Sequence, residues 1–246
     1  MYFQQNNLSS DFFKFENDDV DFPFYNGRPL LSTVDWLCLI AGVLLFIGII
    51  FLPLNLDDNV ASLLFCLVVL VPIIYVSRGK VGLFFRHVGR NDMKLIILCL
   101  LGYYVYSFAM LYLLEQFALV PSPNPVFDAN MDLVFWVMTF IQLLGEELFK
   151  VSIFLIVMHV AYRATSNRKL SLVCGVIMAL VIFGMAHFDT YGGNLAHVLL
   201  VIGFGGIFYF YPYLKTKNVV VGYIVHVLID GVPFFLTMLF KFSGIL

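Results

Sequence analysis

The sequence predicts an all-α fold: a polytopic transmembrane helix bundle of about seven spans, preceded by a polar N-terminal tail. Three observations predict it. Hydrophobic residues make up 61% of the 246 and charged residues only 12%, with a mean hydropathy of +0.94. That leaves too little polar surface for a soluble domain of this length. Seven apolar runs are long enough to cross a bilayer. The stretches between them are short and mostly carry Pro, Gly and Asn, the residues of turns and loops.

Taken in order, residues 1–31 form the tail, where Asp11, Glu16, Asp18, Asp19 and Asp21 outnumber Lys14 and Arg28. Its phenylalanines, in DFFKF and FPFY, suit a cap on the bundle or a contact with the membrane surface, and a flexible tail fits equally. No basic patch followed by an apolar core opens the chain, so no cleavable signal peptide is expected. Spans are expected near 34–54, 60–76, 95–119, 133–161, 170–187, 195–214 and 218–240. The fourth is long enough to kink or to run partly outside the membrane. No linker divides these runs, so residues 32–246 are expected to form one helical domain. Cys38, Cys66, Cys99 and Cys174 all fall within apolar runs, with no disulfide framework and no CxxC pair, and read as small buried hydrophobes.

Lys and Arg give the orientation. Arg78, Lys80, Arg86, Arg90 and Lys94 lie in one connection, Arg163, Arg168 and Lys169 in a second, and Lys215 and Lys217 in a third. With seven spans these three share a side with the tail. The opposite connections hold Asp57, Asp58, Asp128, Asp132 and Asp189 and no Lys or Arg. The positive-inside rule then puts the N-terminus in the cytoplasm and the C-terminus outside.

Ionisable residues within spans are the informative ones, because a charge at the bilayer centre costs at least ~2.5–3.5 kcal/mol on insertion scales. In GEELFK, Glu146 and Lys150 are four apart and Glu147 and Lys150 three apart, so Lys150 can neutralise one carboxylate on its own helix. The other carboxylate is left free for chemistry. His187 ends FGMAH, four residues after Phe183, and His226 and Asp230 share a face in HVLID. At about 1.5 Å per residue, counting from the basic side, Glu146 lies roughly 23 Å in, His187 roughly 26 Å, and His226 and Asp230 roughly 12–18 Å. These depths allow one layer inside the bundle. His159 and His197 read as packing or interfacial residues, and Asn194 as a turn residue.

EELFK, FGMAH and HVLID, in that order on separate membrane helices, resemble the three motifs of the CPBP family. These are the CAAX-protease and bacteriocin-processing (Abi) intramembrane proteases, of which the type II CAAX prenyl endopeptidases are one branch. The family pattern is EExxxR, FxxxH and HxxxN, and the resemblance covers roughly residues 132–240. It implies a glutamate-type peptidase with no cofactor. Glu146 with His187 would activate water, and His226 with Asp230 would stabilise the oxyanion. Glu147 and Lys150 would form a structural ion pair, and Phe183 would shape the site. Two positions depart from the pattern: Val151 stands at the Arg, and Asp230 at the Asn. An ionised Asp has no proton to donate, so Asp230 must be protonated or must orient His226 instead.

Other readings stay open on the residues alone. Glu plus two His can bind zinc with one open position, although no HExxH is present, and metal-independent chemistry is the preferred expectation. A non-catalytic CPBP-like protein, acting in bacteriocin immunity or as a regulator of a membrane partner, is the alternative to a peptidase. A proton-relay transporter fits the buried charges but not the motif order. The expected partners are the lipid bilayer and a membrane-presented peptide or protein, lipidated or a peptide precursor, with no nucleic acid. The expected location is a bacterial plasma membrane.

Overall fold

A computed structural model describes residues 11–119 and 123–242. Its seven long helical segments run α1 (Thr33–Phe51), α2 (Asp58–Val76), α3 (Arg90–Gln116), α4 (Leu133–Thr165), α5 (Arg168–Met185), α6 (Ile207–Thr216) and α7 (Val219–Phe242). A π-helical segment, His197–Gly203, and a 3-10 turn, Phe204–Gly206, lead directly into α6 and complete its span. Among the described residues there is no strand. Six segments are long and apolar enough to cross a membrane, and the chain is a multi-pass membrane protein. The remaining one, α4, is the charged helix. Its 33 residues reach about 50 Å at 1.5 Å per residue, so it outruns a bilayer core. It is also the central helix, packing against α1, α2, α5 and α7.

Short polar side chains start these helices by satisfying backbone N–H groups that have no partner in the first turn. Ser32 and Asp35 form a reciprocal capping box on α1. Asp57 caps α2, Asp132 caps α4 and Asn167 caps α5. Ser166 and Lys217 end α4 and α6 in the left-handed conformation, each with φ 52°. The expected basic connection 77–94 is shorter than read from the sequence. Asp92 accepts the Gly89 N–H at 2.8 Å, which starts α3 at Arg90 and draws Arg90 and Lys94 into its first turns.

The predicted grouping of the basic connections at one end is visible in direct contacts. Arg86 donates to the carbonyls of Thr216 and Lys217. The Val219 N–H donates to the Phe84 carbonyl at 2.8 Å, and Arg168 reaches the tail. Residues 11–31 are a packed cap over this end. Phe22 and Phe24 are buried. Arg168 grips Glu16 with two hydrogen bonds of 2.8 and 2.7 Å, and Lys217 Nζ lies 2.9 Å from the same carboxylate.

Burial alone would push the Glu16 carboxyl upward, but Arg168, the Phe13 N–H and Lys217 together hold it below 4.5. A depressed carboxyl stabilises above its unfolded value and loses that stabilisation as pH falls through its folded value. The cap is therefore expected to loosen as pH drops below about 4.5. Limited proteolysis within residues 11–31 reads this, and Glu16→Gln should loosen the cap already at neutral pH.

Two glycines set how closely α4 and α7 approach their neighbours. A Cβ on Gly145 would sit 2.8 Å from the Cys66 backbone of α2, and one on Gly222 would sit 2.6 Å from the Tyr209 carbonyl of α6. Gly145→Val and Gly222→Ala are each expected to cost about 1–3 kcal/mol through forced separation of packed backbones. Thermal melts in detergent check this. No change at either position would contradict the close approach.

Candidate active site

Lys150, Glu147 and His226 form the innermost layer of the site. α4 presents Glu147 and Lys150 one turn apart, with neither exposed to solvent. Lys150 Nζ donates to Glu147 Oε1 at 2.5 Å and does not pair with Glu146. It also lies 3.8 Å from the centre of the Tyr209 ring and 4.3 Å from that of Phe183. An ammonium removed from water gains from facing aromatic rings as well as a carboxylate. Val151, at the position of the family's Arg, is fully buried among apolar residues of the core.

His226 comes from α7. Its Nδ1 lies 2.8 Å from Glu147 Oε1, though the ring N–H is not aimed well enough for a formed hydrogen bond. Tyr209 stacks on the imidazole at 4.2 Å with the rings 1° from parallel. Glu147 and Tyr209 thus fix the ring and turn Nε2 the other way. Nε2 lies 3.6 Å from Asp230 Oδ2 and 3.8 Å from Glu146 Oε2. Both distances exceed a direct hydrogen bond and suit a bridging water or a substrate atom.

Glu146 is one residue round the helix and faces another way. Gln142, one turn earlier, donates to Glu146 Oε1 at 3.0 Å. Ser62 of α2 in turn donates to Gln142 Oε1 at 2.9 Å. One carboxylate oxygen is thereby tethered and the other left toward His226. The close α2–α4 crossing at Gly145 brings Ser62 into range.

His187 lies past the end of α5 rather than on it, because the helix gives way to tight turns after Met185. Its Nδ1 is 2.9 Å from the Phe183 carbonyl, and its ring packs on Phe183 at 4.7 Å. Glu146, His187, His226 and Asp230 all line one cavity of about 680 Å³, with Phe183 in its wall. Glu147 and Lys150 lie behind that wall. Among the described residues no three His, Cys, Asp or Glu side chains are grouped to hold a metal ion.

Of the other histidines, His159 stacks on Trp36 at 4.1 Å, and His197 packs against Tyr191. Asn194 accepts the His197 N–H at 3.0 Å. The sequence reading did not single out Gln142, Ser62 or Tyr209. Gln142 did carry a signal, a polar residue four before Glu146 within an apolar run. Tyr209 carried none among the aromatics of IFYFYPY.

Residues 129–232 match the family model described as Type II CAAX prenyl endopeptidase Rce1-like. Over this stretch the chain is similar to that family. The matched stretch spans Glu146, His187, His226 and Asp230, beginning just before α4 and ending within α7. The proteins that this family model describes are CAAX-type prenyl endopeptidases, and these residues are similar to them. No curated relative and no solved structure matches the chain. The helices ahead of the matched stretch supply part of the same cavity wall, with Phe46 from α1 and Ser62 and Phe65 from α2.

Proposed function

We propose that the protein is an intramembrane endopeptidase in which Glu146 and His187 activate water against a peptide bond held in the cavity. The observation that carries the reading is the convergence on one cavity of carboxylates and histidines from α4, α7 and the turn after α5, all within the residues that match the Rce1-like family model. The Glu146 carboxylate takes a proton from water positioned with His187. The hydroxide adds to the scissile carbonyl carbon, and the oxyanion forms toward His226 Nε2. The C–N bond then breaks, and the departing amine takes the proton from Glu146. One new carboxyl and one new amine result. Such a base typically contributes 10²–10⁴-fold, and one donor at the oxyanion ~2.7–4 kcal/mol.

With Nδ1 turned to Glu147, His226 stabilises an oxyanion when it is the imidazolium, which carries a proton on both nitrogens. Glu147 Oε1 and Asp230 Oδ2 flank the two ring nitrogens at 2.8 and 3.6 Å, so Asp230 can orient the ring from the side opposite Glu147. The Asp at the family's Asn position is therefore compatible with activity in this reading.

A cell-based comparison of Glu146→Ala and His187→Ala with wild type tests the assignment. Both variants should lose biological function at normal expression. Full function in both would leave the non-catalytic reading, a regulator or immunity protein. In a cleavage assay, strong chelators should leave the rate unchanged, whereas a metal-activated water would be lost on chelation. By the basic-end rule, the tail faces the cytoplasm of a bacterial plasma membrane and the C-terminus faces outward.

A further inference from the structure

We infer that the cavity admits a cationic peptide segment, presented at the end of the bundle opposite the basic connections. The inference rests on the peptidase reading and specifies its substrate. Glu146 and Asp230 line the cavity deep in the bundle, and Asp58 and Asp189 stand exposed at its rim. Among the described residues no Lys or Arg lines it. The buried cation Lys150 is already committed to Glu147. His226 stands at the inner end of the cavity. His226 is 3% exposed, and its Nε2 faces Asp230 and Glu146 at more than hydrogen-bond distance.

The rim has a definite position. It is built from the start of α2, the 124–129 turn and Asp189–Tyr191. Arg78, Arg86, Arg168 and Lys217 are held at the other end, by Asp35, by the 216–217 carbonyls and by the tail. If the basic end is cytoplasmic, the mouth opens away from the cytoplasm. An extended chain entering there passes two rim carboxylates before reaching the site. Basic residues beside the scissile bond are steered in, and acidic ones are repelled. Phe46, Ile50 and Phe65 wall one side of the cavity, which suits an apolar residue between the basic ones.

The test is binding, read separately from cleavage. Two fluorescent decapeptides with the same apolar centre, one Lys-flanked and one Glu-flanked, are titrated against the purified full chain by anisotropy. The Lys-flanked peptide should bind about tenfold or more tightly at low salt, and the preference should shrink as salt rises. Asp58→Asn/Asp189→Asn should remove most of it. Equal binding of the two peptides, or a preference unchanged in the double variant, overturns the inference. Loss of cleavage with the preference intact would instead count against the peptidase reading alone. For sidedness, Asp189→Cys in intact cells should take up a membrane-impermeant maleimide beyond the wild-type background. Labelling only after permeabilisation overturns the placement of the mouth.

Discussion

Lys150→Met is expected to destabilise the folded protein by about 3–5 kcal/mol, the usual result of removing one member of a buried ion pair. Lys150 and Glu147 are both unexposed, and Lys150 is the nearest cation to the Glu147 carboxylate. Without it that carboxylate remains in the protein interior with only the His226 ring beside it. The same physics predicts a partial rescue. Glu147→Gln/Lys150→Met removes both charges, and replacing a whole buried pair is often neutral or better. Melting of the four proteins in one detergent closes a double-mutant cycle. A coupling energy of several kcal/mol fits the pair as described, and one below about 0.5 kcal/mol would contradict it. Lys150→Met should also misplace His226, since Glu147 would no longer be held, so activity should fall together with stability.

Glu146→Gln should behave differently. The substitution keeps the side-chain shape beside Gln142 and removes only the ability to take a proton. Cleavage should fall about 10²–10⁴-fold, with a melting temperature close to wild type, because Glu146 lines a cavity rather than a packed core. Gln142→Leu should give a smaller loss, since it frees Glu146 Oε1 without removing the base. The pair of variants is expected to separate the proposed roles on α4, chemistry at Glu146 and structure at Glu147, although the two are adjacent. Residues about 100° apart on one helix face different surroundings, here the cavity and the Lys150–His226 layer.

The bundle was legible because membrane spans announce themselves by length and apolarity. The seven apolar runs each became a helical segment, with ends displaced by a few residues wherever a cap such as Asp92 on Gly89 decided the start. The charge pattern also showed that the three basic connections share an end. It did not show that the tail locks onto that end, because Glu16 reads as one more acid until Arg168 and Lys217 are placed around it in space.

In the candidate site, helical spacing left Lys150 free to pair with either glutamate. Only the fold decides between them, since Tyr209 and Phe183 draw the ammonium to the Glu147 side. His187 was expected on a helix face and lies beyond the helix end, where the α5 spacing argument no longer applies. Tyr209 could not be found from sequence at all. Its importance lies in the ring it stacks on, 17 residues further along the chain.

The most direct measurement is comparative peptidomics of cells producing wild type or Glu146→Gln at equal levels. Peptide products present with wild type and missing with Glu146→Gln, sharing a new terminus within an apolar, basic-flanked segment, are the predicted result. Identical peptidomes from two equally abundant, folded proteins would contradict the claim that Glu146 activates water for peptide hydrolysis.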